Sequence, residues 1–448
     1  MLAWLGRATA VLVVLLIWLA PSPARAVEVQ RVVSRGGIEA WLVEDHTLPI
    51  ISLQLAFRGG AALDPPGKEG LAEMTSSLID EGAGDLDSEN FQKLLEDLSI
   101  TLTFDGFIDT FRGRLRTLTR NRDQAFELLR LALNEPRFDE PAVERIRSQI
   151  LALLARQAND PDRIAGNAFW ATVFPDHPYG RPRRGTPESV AAITIEDMRR
   201  FVAERFARDN LIIGVVGDVT AEELATLLDE TFGPLPARSA AVEIGEVTPA
   251  AAGEVMVIEH QAPQSTIIFG HSGLKRDDPD YYAAYVLNHI LGGGSFTSRL
   301  YDEVREKRGL AYSVGSYLSP FDHTAMWMGS AGTANESVGQ SVDVIRREWA
   351  RIHDEGVTAE ELEETRTNLT GAYALRFGNS MSIARMLVGI QLEDLGIDYI
   401  DRRNSLIEAV TLEDLHRVAA RVLDPDALTF VIVGQPEGVG AGAAEPQN

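Results

Sequence analysis

An internal repeat is the feature that most constrains the fold of this 448-residue chain. The segment Thr194-Ile195-Glu196-Asp197-Met198 has a counterpart in Thr411-Leu412-Glu413-Asp414-Leu415, 217 residues further on. The same offset relates Val216-Gly217, which ends an apolar run, to Val433-Gly434. A register that is kept across a helix, a loop and a strand indicates a duplicated unit. The chain is therefore expected to fold as two similar halves.

Each half mixes predicted strands with predicted helices, which favours the α+β class. We expect two homologous α/β-sandwich domains that arise from the duplication. Apolar and β-branched runs predict strands over residues 38–42, 50–57, 100–104, 110–118 and 211–217, the first two as a hairpin. Helical periodicity predicts helices after Pro65-Pro66-Gly67 to about residues 82–84, and over residues 88–98 with Ser88 as N-cap, 120–134, 141–159 and 194–206.

Composition suggests where the domains begin and end. Residues 27–235 are predicted to form an N-terminal domain and residues 254–437 a C-terminal domain. The segment between them, residues 236–253, is rich in Pro, Ala and Glu and is predicted to be a linker. Residues 438–448, which are rich in Gly and Ala, are predicted to be a disordered tail.

The first 26 residues have the pattern of a signal peptide. Arg7 precedes a largely apolar run over residues 8–20, and Ala24-Arg25-Ala26 offers a cleavage site before Val27. The run is shorter than the ~20 residues that a membrane-spanning helix requires, which argues against the alternative of a permanent anchor. We therefore expect an exported protein, located in the periplasm.

Composition excludes several classes of protein. The chain contains no cysteine, so an exported form has no disulfide bonds and depends on its buried cores for stability. The formal net charge is −24, which argues against nucleic acid or an anionic membrane as partner.

Several motifs resemble those of a known enzyme family. The chain is similar to the pitrilysin/insulinase family of zinc peptidases, the inverted zincins that include the mitochondrial processing peptidases. The resemblance covers residues 30–437 and implies two homologous α+β domains that face each other across a cleft. It rests on residues 57–61, 67–84, 177–180, 291–295 and 305–314.

The zinc-binding residues of that family are missing here. The family binds zinc through the two histidines of His-x-x-Glu-His and a later glutamate, and the glutamate of the motif activates water. Matched residue by residue, the two histidines fall on Gly70 and Met74, the general base falls on Glu73, and the third ligand falls on Ile146. The resemblance therefore implies a degenerate site with no metal and no catalytic residue of its own.

Two nearby carboxylates and the histidines do not replace the lost ligands. Glu69 and Glu144 lie close in sequence, but each is displaced from the required helix face. The eight histidines include no two that lie three or four residues apart on a predicted helix.

The second half keeps the residues that contact the substrate in the family. The resemblance assigns Arg305 to the carbonyl groups of a bound peptide and Tyr312 to the oxyanion of the tetrahedral intermediate. Without the family context, Arg305 would be a solvated helix-end cation and Tyr312 a residue that packs at a strand start. Gly292, Gly293 and Gly294 are expected to form a flexible loop that lines the cleft, since the spacing of a phosphate-binding loop is absent.

The loss of the zinc ligands together with the presence of Arg305 and Tyr312 favours a non-catalytic subunit. Some family members are heterodimers in which one chain carries the zinc and the other carries the Arg/Tyr pair. We expect this chain to be the second kind, with zinc held by a related partner chain and peptides as substrates. The alternatives are a peptide-binding or structural homodimer or scaffold without a peptidase role and, ranked last, an active peptidase with unusual ligands. The sequence does not identify the peptide substrate or the partner.

Overall fold

The computed structural model describes residues 28–240, 242–250 and 252–439. The predicted signal peptide lies outside the described residues, as do residues 440–448 of the predicted tail. No helix within the described ranges has the length and hydrophobicity to cross a bilayer.

Two mixed sheets form the framework of the chain. The six-stranded sheet has the order β1-β2-β6-β3-β5-β4, and the five-stranded sheet has the order β7-β11-β8-β10-β9. The first contains β1 (Gln30–Val33), β2 (Glu39–Glu44), β3 (Ile50–Arg58), β4 (Thr101–Gly106), β5 (Thr110–Leu118) and β6 (Leu211–Gly217). The second contains β7 (Val255–Glu259), β8 (Gln264–Ser272), β9 (Ala311–Pro320), β10 (Ala325–Ala334) and β11 (Thr429–Gly434).

Helices follow or separate these strands in both halves. The helices of the first half are α1 (Leu71–Ser76), α2 (Ser88–Asp97), α3 (Arg122–Asn134), α4 (Glu140–Gln157), α5 (Pro161–Val173), α6 (Pro187–Ala192), α7 (Ile195–Arg205) and α8 (Ala221–Phe232). Those of the second half are α9 (Tyr281–Asn288), α10 (Val338–Glu355), α11 (Ala359–Gly371), α12 (Ser380–Leu392), α13 (Tyr399–Glu408) and α14 (Leu412–Val422). The predicted α+β class is confirmed.

The duplication is visible in the strand pairing. Strands β2, β6, β3, β5 and β4 follow one another in the first sheet as β7, β11, β8, β10 and β9 do in the second. The pair β2·β6 and the pair β7·β11 are parallel, whereas the other pairs in both series are antiparallel. The repeated threonines, Thr194 and Thr411, each cap a helix by accepting a hydrogen bond from the amide three residues later. Among the strands of the described residues, β1 alone has no counterpart in this arrangement.

The predicted hairpin of β2 and β3 is wrong. Strand β6 lies between them, parallel to β2 and antiparallel to β3. Most of β6 is buried and apolar, and such a strand is most stable in the middle of a sheet, where both faces are covered. The link between β2 and β3 also has no two-residue glycine turn of the kind that would favour direct pairing.

Two predicted helices have different bounds. Helix α1 covers only Leu71–Ser76, so its predicted extension to about residues 82–84 is wrong. The hydroxyls of Ser76 and Ser77 donate to the Glu73 carbonyl at 2.8 and 3.0 Å, and such local bonds compete with a continuing helix. Helix α2 begins at Ser88 as expected, but its N-cap is Asp87, whose carboxylate accepts from the Asn90 amide at 2.9 Å.

One helix of each half packs on the sheet of the other half. Helix α5 contributes Phe169 and Val173 to a cluster that contains Val431 and Val433 of β11. Helix α12 contributes Leu387 to a cluster with residues of β2 and β6. The sequence patterns predicted no helix in either segment. This exchange joins the two halves through two separate apolar cores.

The segment predicted as a linker packs against the cluster of α5 and β11 through Ile244 and Val247. The Val247 amide donates to the His323 carbonyl at 2.9 Å, and the Ala250 amide donates to the Val173 carbonyl at 2.8 Å. The domain boundaries placed on either side of residues 236–253 remain a prediction.

Candidate functional site

Helix α1 brings the degenerate motif against the core of the first half. Met74 is fully buried and Ile146, on α4, is 7% exposed. Both belong to the apolar cluster that also includes residues of β3 and β5. Neither side chain offers a donor atom that suits zinc, which prefers imidazole, thiolate and carboxylate ligands.

Backbone atoms of a neighbouring loop leave no room for a side chain at Gly70. It adopts a left-handed conformation with φ of 93° at the N-cap of α1. A Cβ atom at this position would lie 2.7 Å from the Arg184 carbonyl oxygen and 3.2 Å from the Gly185 nitrogen. A Cβ atom on Gly185 would in turn collide with the Glu69 carbonyl oxygen. The loop therefore occupies the space that a ligand side chain at residue 70 would need.

Glu73 is engaged by two arginines. Its carboxylate lies 3.3 Å from Nε of Arg184 and 3.9 Å from Nη1 of Arg183. The carboxylate is therefore paired with two arginine side chains of the same protein. The arrangement stabilises its negative charge and does not require a metal for that purpose.

The other carboxylates near the motif are also paired. Glu69 accepts from the Gly67 amide at 3.1 Å and lies 3.9 Å from Arg181. Glu144 accepts from Nε of Arg147 at 3.1 Å. Across the described ranges of the chain, no three His, Cys, Asp or Glu side chains converge in a way that could hold a metal ion. The residues at the family's zinc position do not fit zinc.

Arg305 and Tyr312 lie close together in the second half. Arg305 belongs to a π-helical turn, Tyr301–Glu306, and its guanidinium carbon lies 4.9 Å from the ring centre of Tyr301 and 5.3 Å from that of Tyr312. Tyr312 is the second residue of β9 and is 76% exposed. This exposure argues against the alternative that Tyr312 simply packs at the start of a strand.

The glycine segment is helical, which corrects the predicted flexible loop. Gly292 and Gly293 belong to a π-helical turn, His289–Gly293, which continues α9, and Gly294 follows it. A Cβ atom on Gly292 would lie 2.6 Å from the Ser316 nitrogen, so the absence of a side chain allows close packing on β9. Hydrogen bonds between Asn288 and Ser316 hold the two elements together. The glycines and the Arg/Tyr pair thus share β9 as their support.

A large cleft opens next to the degenerate motif. Its volume is about 690 Å³, and Arg183 and Gly185 are among its lining residues. Most of its wall belongs to the first half, but Phe321, in the turn between β9 and β10, completes it. Neither Arg305 nor Tyr312 lines this cleft. The two sets of predicted site residues are therefore not combined into one site within this chain.

The arginines around Glu73 were not among the predicted site residues. The segment Arg181-Pro182-Arg183-Arg184-Gly185 directly follows residues 177–180, which carry part of the family resemblance. Three basic residues within four positions are notable in a strongly acidic chain and could have drawn attention. Their convergence on α1, however, depends on the folded path of the loop.

Comparisons with known proteins agree with the resemblance that the sequence motifs indicate. Residues 192–369 match the family model described as the peptidase M16 inactive domain. The chain is 28% identical over 393 residues to the non-peptidase homolog YmxG of Helicobacter pylori, covering 87% of this chain and 90% of that protein. It is 32% identical over 298 residues to an uncharacterized zinc protease of Streptomyces coelicolor, covering 63% of each chain.

Solved structures show the same architecture over nearly the whole chain. A crystal structure of a peptidase M16 inactive domain from Pseudomonas fluorescens is 27% identical, with a TM-score of 0.85, covering 94% of this chain and all of that one. A protease structure from Helicobacter pylori, at 19% identity and a TM-score of 0.81, shares the fold over 91% of this chain and 99% of that one. Together with the missing ligands, these matches confirm the predicted family and the predicted loss of catalysis. The chain therefore matches the inactive domain of the M16 peptidase family over residues 192–369, and it is similar to a non-peptidase homolog and to a solved M16 inactive domain over nearly its whole length.

Proposed function

We propose that this chain is the exported, non-catalytic subunit of a heterodimeric zinc peptidase. The partner is a related chain that carries His-x-x-Glu-His and holds the zinc. The exposed Arg305–Tyr312 pair carries the proposal. It lies in the second half, outside the cleft beside the chain's own degenerate motif, and Tyr312 is 76% exposed. An exposed pair, in a chain whose own motif has Gly70 and Met74 at the positions of the zinc-binding histidines, is suited to a reaction centre on another chain.

The chemistry of the pair suits this role. The Arg305 guanidinium offers several N–H donors for the carbonyl groups of a bound peptide. The Tyr312 hydroxyl can donate to the oxyanion that forms when water attacks the scissile carbonyl. Arg305 also stacks over Tyr312 at 5.3 Å, which holds the two side chains in a common orientation.

The proposal is tested in a reconstituted complex. A candidate partner with an intact motif is mixed with this chain, and hydrolysis of a fluorogenic peptide library is measured. Activity should require both chains. Tyr312→Phe in this chain should lower kcat by about 10²–10³, the usual effect of removing one oxyanion donor, and Arg305→Ala should lower kcat/KM.

A matched control is available on the same strand. Tyr317 is also on β9 and is half-exposed, and Tyr317→Phe removes an identical hydroxyl. This variant should keep full activity. Equal losses in the Tyr317→Phe and Tyr312→Phe complexes would rule out the assigned role of Tyr312, and full activity of the partner alone would rule out the subunit proposal.

Export is part of the same proposal and has its own test. The charged start, the apolar run and the small residues before Val27 support cleavage by a signal peptidase. Mass spectrometry of the protein purified from its native source should find an N-terminus at Val27. An N-terminus at Met1 on protein recovered from the cytoplasm would contradict export.

A second candidate function is supported by the cleft. About 690 Å³ lies within the usual range for sites that bind small ligands, and the wall is largely apolar. A single chain, or a homodimer of it, could bind peptides there without cutting them. An adjacent gene for a related chain with an intact motif favours the heterodimer, and its absence favours this second function.

A further inference from the structure

We propose that the cleft beside α1 binds a short peptide segment in which a carboxylate adjoins apolar side chains. The proposal rests on the second candidate function, peptide binding by the single chain, and it names the chemistry of the peptide. It requires no zinc and no partner subunit, so its failure would leave the heterodimer proposal unaffected.

The wall of the cleft provides apolar contacts from three directions. Phe107 and Ile108 come from the turn between β4 and β5, Ile164 and Trp170 come from α5, and Phe321 comes from the second half. Exposed aromatic rings in a concave site are typical anchors for apolar side chains of a ligand. An apolar lining alone, however, does not select one class of peptide.

Charge provides the selection. Three arginines line the cleft, Arg163, Arg181 and Arg183, whereas Asp162 is the one acidic residue among the lining side chains of the described chain. Asp162 already accepts a hydrogen bond from the Thr266 hydroxyl at 2.6 Å. The cleft is therefore positively charged although the chain as a whole carries a formal charge of −24.

Two of these arginines are held in place by backbone carbonyls and are partly offset by carboxylates that do not line the cleft, whereas the third arginine is not paired with any described residue. Arg181 donates from Nη1 to the Asp64 carbonyl at 2.9 Å, and Arg183 donates from Nη1 to the Gly106 carbonyl. A carbonyl fixes a guanidinium but does not cancel its charge, and the carboxylates of Glu69 and Glu73 offset the charges of Arg181 and Arg183 only from 3.9 Å. The side chain of Arg163 is exposed and, in the part of the chain that the structure describes, has neither a hydrogen bond nor an ion pair.

Mutual repulsion among the arginines favours an anion. Burial lowers the pKa of Arg183, the charge of Glu73 opposes that shift, and the nearby charges of Arg184 and Arg163 lower the pKa further. A bound carboxylate would offset this repulsion. It could also accept two parallel hydrogen bonds from one guanidinium, the geometry for which arginine is best suited.

Two sources could supply the carboxylate. It could be the side chain of an internal Asp or Glu, or the free C-terminus of a peptide, since both present two oxygens to a guanidinium. The apolar wall requires that bulky apolar residues flank it in either case. The test therefore presents the two carboxylates in separate peptides.

Fluorescence anisotropy of labelled hexapeptides measures the selection directly. The full-length purified chain is titrated against fluorescein-Leu-Phe-Glu-Leu-Ile-Ala with an amidated C-terminus, the same amidated peptide with Gln in place of Glu, and the Gln peptide with a free C-terminus. At least one carboxylate peptide should bind about tenfold more tightly than the amidated Gln peptide, because a hydrogen bond to a charged group is lost. Which peptide binds more tightly identifies the source.

Arginine variants locate the binding site. Arg163→Gln should weaken binding of the preferred peptide about tenfold and leave the amidated Gln peptide unchanged. The matched control is Arg156→Gln, because Arg156 is an exposed arginine of the neighbouring α4 that does not line the cleft. Because the exposed Arg163 side chain is not tied to the described residues by a hydrogen bond or an ion pair, its variant should keep the circular dichroism spectrum of the wild type.

Several results would overturn the proposal. These are equal affinity for all three peptides, no binding of any of them, and equal loss of affinity in Arg156→Gln and Arg163→Gln. Preference for either carboxylate peptide that Arg163→Gln abolishes would support it.

Discussion

Gly70 separates this chain from a zinc enzyme more decisively than the loss of a ligand alone. Its φ of 93° is left-handed, and a Cβ atom would lie 2.7 Å from the Arg184 carbonyl oxygen, so the backbone excludes a side chain there. The surrounding loop has adapted to the glycine, and two arginines of the same loop now neutralise Glu73. An ion-pair network thus occupies the place of the family's metal site.

The close packing at Gly70 predicts a measurable loss of stability. Gly70→Ala should lower the free energy of unfolding through the strained φ and through the contact with Arg184. Gly67→Ala is the matched control, since Gly67 also has positive φ, 77°, but has no atom within 4 Å of a Cβ position. Urea denaturation should give a loss of ~1–2 kcal/mol for Gly67→Ala and a clearly larger loss for Gly70→Ala.

Equal losses for the two alanine variants would mean that the loop moves away from residue 70 at no cost. In that case the loop could also admit a ligand side chain, and the description of a closed site would fail.

His271 predicts a pH dependence of stability. Its Nε2 accepts from Trp349 Nε1 at 2.9 Å and its Nδ1 donates to the Ser272 carbonyl at 2.7 Å, so the buried ring is neutral. Burial lowers the pKa of His271 to about 4. The unfolded chain takes up this proton near pH 6.5 and the folded chain does not, so the contribution to stability is lost as pH falls from about 6.5 towards 4.

A variant isolates this contribution from that of buried carboxyls. Burial raises the pKa of Asp64 and of Asp80 to about 6, and these groups act in the opposite direction over the same pH range. Comparing wild type with His271→Gln at each pH cancels them. The stability advantage of the wild type should shrink by about 3 kcal/mol between pH 7 and pH 4 in urea denaturation. An advantage that does not change with pH would exclude a neutral His271 in the folded state.

At the scale of elements, the exchange of helices is the feature that most strongly couples the halves. Helix α12 covers the outer face of the first sheet, and Leu387 is fully buried there. Gly214 of β6 approaches α12 so closely that a Cβ atom would lie 2.7 Å from the Ala384 carbonyl oxygen. The first sheet therefore depends on a helix that comes from the other half of the chain.

This coupling predicts that one substitution destabilises both halves. Leu387→Ala should lower the free energy of unfolding by ~2–5 kcal/mol. Hydrogen exchange measured by mass spectrometry should show faster exchange in β2 and β6 as well as in the second sheet. Leu375→Ala is the control, since Leu375 is 82% exposed, and should stay within ~0.5 kcal/mol of wild type. Faster exchange confined to residues after 254 would contradict the coupling.

Local sequence patterns predicted several strands well. They did not predict the features that depend on contacts between distant parts of the chain. Strands β5 and β6 match the predicted residues 110–118 and 211–217, because each is an apolar or alternating run with polar ends. The predicted hairpin is wrong because β6, the strand that pairs with both β2 and β3, comes from much later in the first half of the chain. Helices α5 and α12 went unassigned, and their packing partners lie in the other half of the chain.

The candidate site divides in the same way. The loss of ligands at Gly70, Met74 and Ile146 is readable from three positions once the family is recognised. The closure of the site by residues 184–185 and the cleft beside it depend on the path of a loop, which no local pattern specifies.

At the scale of the whole molecule, the two halves have the same framework but different functional side chains. The first half retains the motif helix without ligands, and the second retains an exposed Arg305 and Tyr312. The two halves share strand order and pairing, so the divergence lies in side chains and loops and leaves the framework intact. A fold kept intact around a lost metal site is consistent with selection for binding or assembly.

The zinc content of the purified chain tests the central claim most directly. The full-length mature protein is incubated with excess zinc, freed of unbound metal by gel filtration, and analysed by inductively coupled plasma mass spectrometry. The closed Gly70 position, the buried Met74 and Ile146, and the arginine-paired Glu73 predict no stoichiometric zinc. One tightly bound zinc ion per chain would contradict this account.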